Sequence, residues 1–200
     1  MTLGNVKSAF PTEWDARAHQ VSTMDALTIA VVKGEDLSQA ERDEIIQLCT
    51  EAYEEDFSDF FRTMPGTTHL LGRVAGRLVS HLAWVTRWLQ PEGLSRLETA
   101  YIEAVATAPD HQGRGYASQL LREAVRHVQG YELAALSPSE AGFYARLGWA
   151  LWRGRLGIRT AEGVDPTPEG EEVMILRLTK TPDLDLNATL TAEWREGELW

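Results

Sequence analysis

Two hundred residues suffice for one domain with a substantial core, or for one domain carrying a modest extension. A content of 44% hydrophobic and 24% charged residues suits a globular chain, and no apolar run approaches the roughly 20 residues that a membrane-spanning helix needs. The formal net charge of −11 argues against nucleic acid and anionic membranes as partners, because phosphate binding calls for clustered Lys and Arg.

Residues 1–25 show no sustained periodicity and no basic start followed by an apolar stretch. They read as an N-terminal extension, not a secretory signal, ahead of a single domain over 26–200. A cytoplasmic location is the matching expectation. Residues 27–32 are β-branched and apolar, so a strand is predicted there. Ser38 offers an N-cap, with Glu41 three residues on completing a capping box, and Ile45, Leu48, Cys49 and Ala52 carry the helical period to Tyr53. Cys49 is the single cysteine and lies on this apolar stripe, which predicts an inert buried thiol; no His/Cys cluster has metal-ligand spacing, so no metal is expected.

Residues 56–62 are acidic and aromatic, suiting one helical turn or a loop. Pro65-Gly66 breaks the chain, 68–74 reads as a strand, Ala75-Gly76 as a turn and 77–89 as a long strand, which together make a hairpin. After a second turn at Pro91-Glu92-Gly93, residues 96–107 form a strand that is nearly continuously apolar from Tyr101 onward, except for Glu103. An amphipathic helix runs to Val128 with Leu120, Leu121, Ala124 and Val125 on its stripe. Residues 131–136 read as a buried strand. Ser137-Pro138-Ser139-Glu140 reads as the start of a short helix that stops at Gly148. Strands are predicted near 157–160, 173–179 and 188–194, with an acidic Pro/Gly-rich loop between the first two. The fold class is therefore α/β (α+β), a mixed and largely antiparallel central sheet flanked by helices. From residue 161 onward ten acids face three bases, which makes either a solvated acidic surface or a wall for a cationic ligand.

The most informative stretch is Gln112-Gly113-Arg114-Gly115-Tyr116-Ala117, set between a strand and a helix. Gly113 and Gly115 allow close backbone approach to a ligand, and Ala117 is too small to obstruct it. A helix opening there presents unpaired N–H groups and the positive end of its dipole, a ready site for phosphates. The Walker ending and the GxGxxG spacing are both absent. The bland alternative is a Gly-rich turn before an ordinary helix.

Gln112-x-x-Gly115-x-Ala117 after an apolar strand resembles the acyl-CoA motif of the GNAT acetyltransferases, Gln/Arg-x-x-Gly-x-Gly/Ala. Phe143-Tyr144-Ala145-Arg146-Leu147-Gly148-Trp149 resembles that superfamily's second hallmark, a Tyr-bearing helix ending at Gly-Phe or Gly-Trp. Residues 101–106, 135–139 and 193–200 further resemble the aminoglycoside 2′-N-acetyltransferases of actinobacteria, over roughly residues 27–200; the first 25 have no counterpart. The resemblance implies a GNAT fold, acetyl-CoA as cosubstrate, a cationic aminoglycoside as acceptor and a homodimer. It implies cofactor contacts along Val105, Ala106 and Thr107 and around Gln112, Gly113, Arg114, Gly115, Tyr116, Ala117 and Ser118.

Acetyl transfer needs a neutral amine, donors for the developing oxyanion and an acid for the departing thiolate. Glu103 interrupts an apolar strand, where a carboxylate is costly without a task or a partner. Two readings are open: a base acting directly or through water, as the resemblance implies, or a structural carboxylate on a sheet face. Tyr144 is either the general acid or a core tyrosine, and Ser137 either an acceptor contact or a turn serine. The resemblance implies acceptor contacts from Asp56, Asp59, Glu103, Ala104, Ser137, one of Glu169 or Glu171, Glu198 and the carboxylate of Trp200. Glu198 stands where better-known relatives carry Asp, and the Glu169 region is shorter by a residue, so drug preference is left open. Two other functions are also open, a GNAT enzyme for another amine and a non-catalytic binder of CoA or antibiotic. An intact loop with Glu103 and Tyr144 argues against the binder.

Overall fold

The computed structural model describes residues 26–195 and Trp200. The extension expected over 1–25, and the candidate Glu198, lie outside the described residues. In chain order the elements are β1 (Thr28–Lys33), α1 (Gln39–Tyr53), α2 (Phe60–Thr63), β2 (Thr68–Val74), β3 (Arg77–Pro91), β4 (Leu97–Thr107), α3 (Tyr116–His127), β5 (Leu133–Leu136), α4 (Ala141–Ala145), β6 (Ala150–Leu151), β7 (Leu156–Arg159), β8 (Val164–Pro166), β9 (Met174–Arg177) and β10 (Leu190–Glu193).

The strands form one curled sheet in the order β6-β9-β5-β4-β3-β10-β7-β8, with β2 and then β1 attached to β3. The length of β3 makes this possible. Its first half, Arg77 to Trp84, pairs with β2, and its far end, Gln90 and Pro91, pairs with β10. All pairs are antiparallel except β4 with β5 and β10 with β7, as the antiparallel-rich expectation requires.

Strand alternation sends the apolar residues to two faces. Leu70 and Leu82 point to the side covered by α3, where they meet Leu120, Leu121 and Ala124. Leu71 and Ala83 point to the other side, against Ile45, Leu48 and Cys49 of α1. Farther along that sheet lies a third cluster, in which Tyr101, Leu133 and Ala135 pack with Trp152, Leu190 and Trp200. Leu70, Leu82 and Leu120 are fully buried, each stabilising the fold by about 1.5–3 kcal/mol relative to an exposed leucine.

The capping box is present: Ser38 accepts from the Glu41 N–H, and the Glu41 carboxylate accepts from the Ser38 N–H. Cys49 is buried, and burial pushes its thiol up to about 12, so it stays protonated at neutral pH. The short helix read after Ser137-Pro138-Ser139-Glu140 is α4, which starts after Glu140 without a side-chain cap. Two local readings need correction. The acidic loop after β7 contains β8, antiparallel to it. The two-residue strand β6 pairs with β9, too short for its sequence to announce.

Candidate active site

The parallel pairing of β4 with β5 holds only from Thr99 to Tyr101 against Leu133 to Ala135. Beyond it β5 ends at Leu136 while β4 continues to Thr107. On its other edge β4 carries a bulge: Ala83 and His81, two apart on β3, pair with Glu103 and Ala106, three apart on β4. Within the bulge Ala104 takes the left-handed conformation, φ 49°, which costs a non-glycine residue about 1–2 kcal/mol. The parted strands and the bulge open one wall of a cavity of about 450 Å³.

The other walls come from residues 53–64 at the end of α1 and through α2, from residues 137–139 after β5, from Tyr144 and from Trp200. Glu55, Asp56, Asp59 and Glu103 line it, with no Lys or Arg among the described lining residues, so the cavity favours a cation. Asp56 accepts from the Ser58 N–H at 2.9 Å, a local turn that keeps it at the mouth. Asp59 pairs with Arg62 at 3.0 Å, and that hydrogen bond holds its carboxyl below the usual range. Tyr53, stacked on Phe57 with centroids 5.0 Å apart, donates its hydroxyl to the Val105 carbonyl at 3.1 Å.

Glu103 points into this space from β4 with only 10% of its side chain exposed. Arg195 donates to it at 2.7 Å, its guanidinium also lying 5.9 Å from the Tyr101 ring centroid and 3.3 Å from the Met64 sulfur. The charge of Glu103 is thus compensated, as a nearly buried carboxylate requires. Tyr144 is buried on α4; burial pushes its phenol above the ordinary range, and a hydrogen bond with Ser139 offsets part of that. Trp200 packs into the third cluster and donates its indole N–H to Thr167 at 2.8 Å.

The loop after β4 is a single 3₁₀ turn, Pro109–His111, followed by residues 112–115. Gly113 and Gly115 have φ of 73° and 77°, values that suit only glycine without strain. A Cβ at either would meet nothing within 4 Å, so the backbone here is open to a ligand. Gly115 is the N-cap of the twelve-residue α3 and no side chain caps the start. The first-turn N–H groups therefore remain available, a cradle that fits a diphosphate. Gln112 ties the loop back by donating to the Thr107 carbonyl at 3.3 Å. Arg77 anchors its start through Asp110 at 2.7 Å; Arg77 and then His111 hold that carboxyl down to about 2.

Of the residues singled out from sequence, Glu103, Ala104, Val105, Asp56, Asp59, Ser137, Tyr144 and Trp200 line this one cavity. Ala106 and Thr107 continue β4 toward the loop. Glu169 and Glu171 do not line the cavity; both are exposed, though Glu171 is near enough to Tyr101 to act on it electrostatically. Sequence reasoning missed the aromatic wall of Tyr53, Phe57 and Phe60. It also missed Arg195, whose partner lies 92 residues away. Among the described residues no group of three His, Cys, Asp or Glu is arranged to hold a metal.

Residues 35–152 match the Acetyltransferase (GNAT) domain family. The chain is 34% identical over 180 residues to an aminoglycoside 2′-N-acetyltransferase from Mycolicibacterium fortuitum, covering 86% of this chain and 92% of that one. Its fold resembles the GNAT family N-acetyltransferase YhbS from Escherichia coli, solved in complex with CoA, at TM-score 0.58 and 18% identity over 86% of this chain and 92% of that one. It also resembles Eis1 from Mycobacterium abscessus, at TM-score 0.55 and 23% identity, where 65% of this chain is covered and the match spans only 32% of the larger protein. With the family matched over more than half its length, on a sheet that parts beside an uncapped, glycine-opened helix, this chain belongs to the GNAT family of acetyltransferases.

Proposed function

We propose that the enzyme transfers an acetyl group from acetyl-CoA to the 2′-amine of an aminoglycoside by direct attack in a ternary complex. The observation that carries this reading is the joining of a nearly buried Glu103 and a buried Tyr144 on the walls of one acidic cavity, beside strands that part.

In this reading the amides of residues 112–118 hold the diphosphate of acetyl-CoA, and Val105, Ala106 and Thr107 present the strand edge to its pantetheine arm. Acetyl-CoA supplies the thioester. The acceptor arrives as an ammonium ion drawn by Asp56, Asp59 and Glu55. Glu103 takes one proton from it, directly or through a water, leaving a lone pair to attack the thioester carbon. The acceptor competes for Glu103 with Arg195, which donates to the carboxylate at 2.7 Å. As the carbon–sulfur bond breaks, Tyr144 gives its proton to the leaving sulfur, a task suited to a phenol that burial keeps protonated, and the second proton lost by the acetylated nitrogen returns through solvent to the phenolate. Ser137, Ala104 and Trp200 orient the sugar ring. The 34% identity to the Mycolicibacterium enzyme supports the choice of acceptor.

The test is thiol release from acetyl-CoA with tobramycin or gentamicin, beside amikacin and spermidine, followed by mass spectrometry of the product. The account expects turnover with the 2′-amino drugs, one acetyl group on that amine, and no reaction with amikacin, which has a hydroxyl there. Faster turnover of spermidine than of either 2′-amino drug would reassign the enzyme to another amine.

A further inference from the structure

Behind the bulge lies a buried polar chain that the acetyl-transfer scheme does not use. His69 on β2 and His81 on β3 are both fully buried on the α1 side of the sheet. Their rings are joined by His69 Nδ1 and His81 Nε2 at 3.0 Å. His69 Nε2 lies 2.7 Å from the Thr67 hydroxyl, and His81 Nδ1 lies 3.0 Å from the Ala104 carbonyl.

The acceptors fix the direction of every proton. A carbonyl oxygen only accepts, so His81 Nδ1 carries its hydrogen. In a neutral ring Nε2 is then the acceptor, so the hydrogen between the rings sits on His69 Nδ1. His69 Nε2 in turn accepts from Thr67, whose single hydroxyl hydrogen goes to the 2.7 Å contact rather than to the Met64 carbonyl at 3.4 Å. Each ring has one proton, and each of the three contacts at 2.7–3.0 Å has one donor and one acceptor. In this arrangement, charging His81 would set two donors face to face between the rings. The surroundings oppose charging: burial pushes His69 down to about 4, helped by Arg42, and pushes His81 down to about 3, helped by its neighbour His69. The other titratable group facing the pair is Cys49, with Sγ 3.9 Å from His81 Nδ1.

The chain ends on a carbonyl with a particular place. Ala104 is the strained residue of the bulge, it lines the cavity, and its neighbours in sequence are Glu103 and Val105. A bulge held in the left-handed conformation at a non-glycine residue persists only if its surroundings fix it. We propose that His81, braced by His69 and Thr67, is a positioning residue that locks the Ala104 carbonyl and thereby sets where Glu103 and the Val105 strand edge face the reacting groups. This inference rests on the acetyl-transfer reading for its kinetic consequence, but not for its hydrogen-bond content.

Two substitutions separate the two ends of the ring. His81→Asn keeps an N–H donor at the position of Nδ1, facing Ala104, and loses the contact with His69. His81→Gln moves the amide outward toward His69 and loses the donor to Ala104. With the best acceptor found, His81→Gln is expected to lower kcat by about a hundredfold, the scale of a catalytic group misplaced by about 1 Å, while His81→Asn stays within about threefold of wild type. Both variants lose one buried hydrogen bond, so a merely structural role predicts similar falls in Tm and similar kcat values. Equal kcat losses, or the reverse order, would overturn the proposal. A second readout needs no substrate: nitrogen-15 NMR of the wild-type imidazoles should show both rings neutral with the proton on Nδ1 between about pH 5.5 and 8. A proton on Nε2 of His81 would sink the proposal even if the acceptor is correct, whereas the Nδ1 form in an enzyme inactive on every drug would sink only the acceptor.

Discussion

Glu103 and Arg195 show how one residue's chemistry depends on a distant one. An acid in a run of apolar strand residues announces itself in the sequence, because burying a lone carboxylate is costly. Its counter-ion does not, because nothing in the spacing of 92 residues ties Arg195 to it. Glu103→Gln keeps the size of the side chain and removes its ability to take a proton. It should lower kcat by about a hundredfold to ten-thousandfold with little change in acetyl-CoA affinity, measured by steady-state kinetics and calorimetry together. The buried imidazoles give a second prediction at this scale. Their folded pKa values lie below the ordinary 6.5, at about 4 and about 3, so between those values and 6.5 the unfolded chain binds more protons. Stability is then complete above pH 6.5 and falls as the pH drops below it, by about 2 kcal/mol per imidazole on reaching pH 5. Urea unfolding midpoints at pH 7 and pH 5 check this; an unchanged midpoint would mean that the histidines are not buried as neutral rings.

At the scale of elements, local signals were legible where the physics is local. The Ser38 cap with Glu41, the hairpin turn at Ala75-Gly76 and the glycines before α3 each read correctly, since each depends on a few adjacent residues. The strands β6 and β8 were not legible, because two or three residues become a strand only when a neighbour is present to pair with them. The bulge at Ala104 was hidden for the opposite reason: alanine gives no hint of a left-handed backbone, and the features that support it come from β3 and β2. The loop before α3 can be tested as an element. Gly115→Ala meets no atom within 4 Å, so its cost is conformational, about 1–2 kcal/mol of backbone strain at φ 77°. Relief of that strain by moving the loop should raise the acetyl-CoA KM by about tenfold or more while kcat changes little, since the interaction lost is common to ground and transition states.

Across the whole molecule, the fold class followed from the sequence, and eight of the named residues line one cavity, three of them on β4, the strand that also leads to the loop. The acidic rim was only half legible. The excess of acids from residue 161 onward marks a region whose Glu169 and Glu171 do not line the cavity, whereas Asp56 and Asp59, named from the same resemblance, do line it and Glu55 joins them. Charge counts find a region, whereas packing decides which carboxylates face inward. Trp200 belongs both to the cluster under β10 and to the cavity wall, so its loss should be felt twice. Trp200→Ala should lower stability by about 3–5 kcal/mol in urea unfolding and raise the acceptor KM more than that for acetyl-CoA; equal rises in both would remove it from acceptor recognition. All of this depends on a diphosphate held at the start of α3, and calorimetric titration of the folded protein with acetyl-CoA and with S-acetylpantetheine, which has the same thioester but no diphosphate, tests that grip. The account predicts saturable binding of acetyl-CoA, weaker by about a hundredfold or more for the truncated thioester, about 2.7 kcal/mol. Equal affinity for the two, or no association with acetyl-CoA, would contradict it.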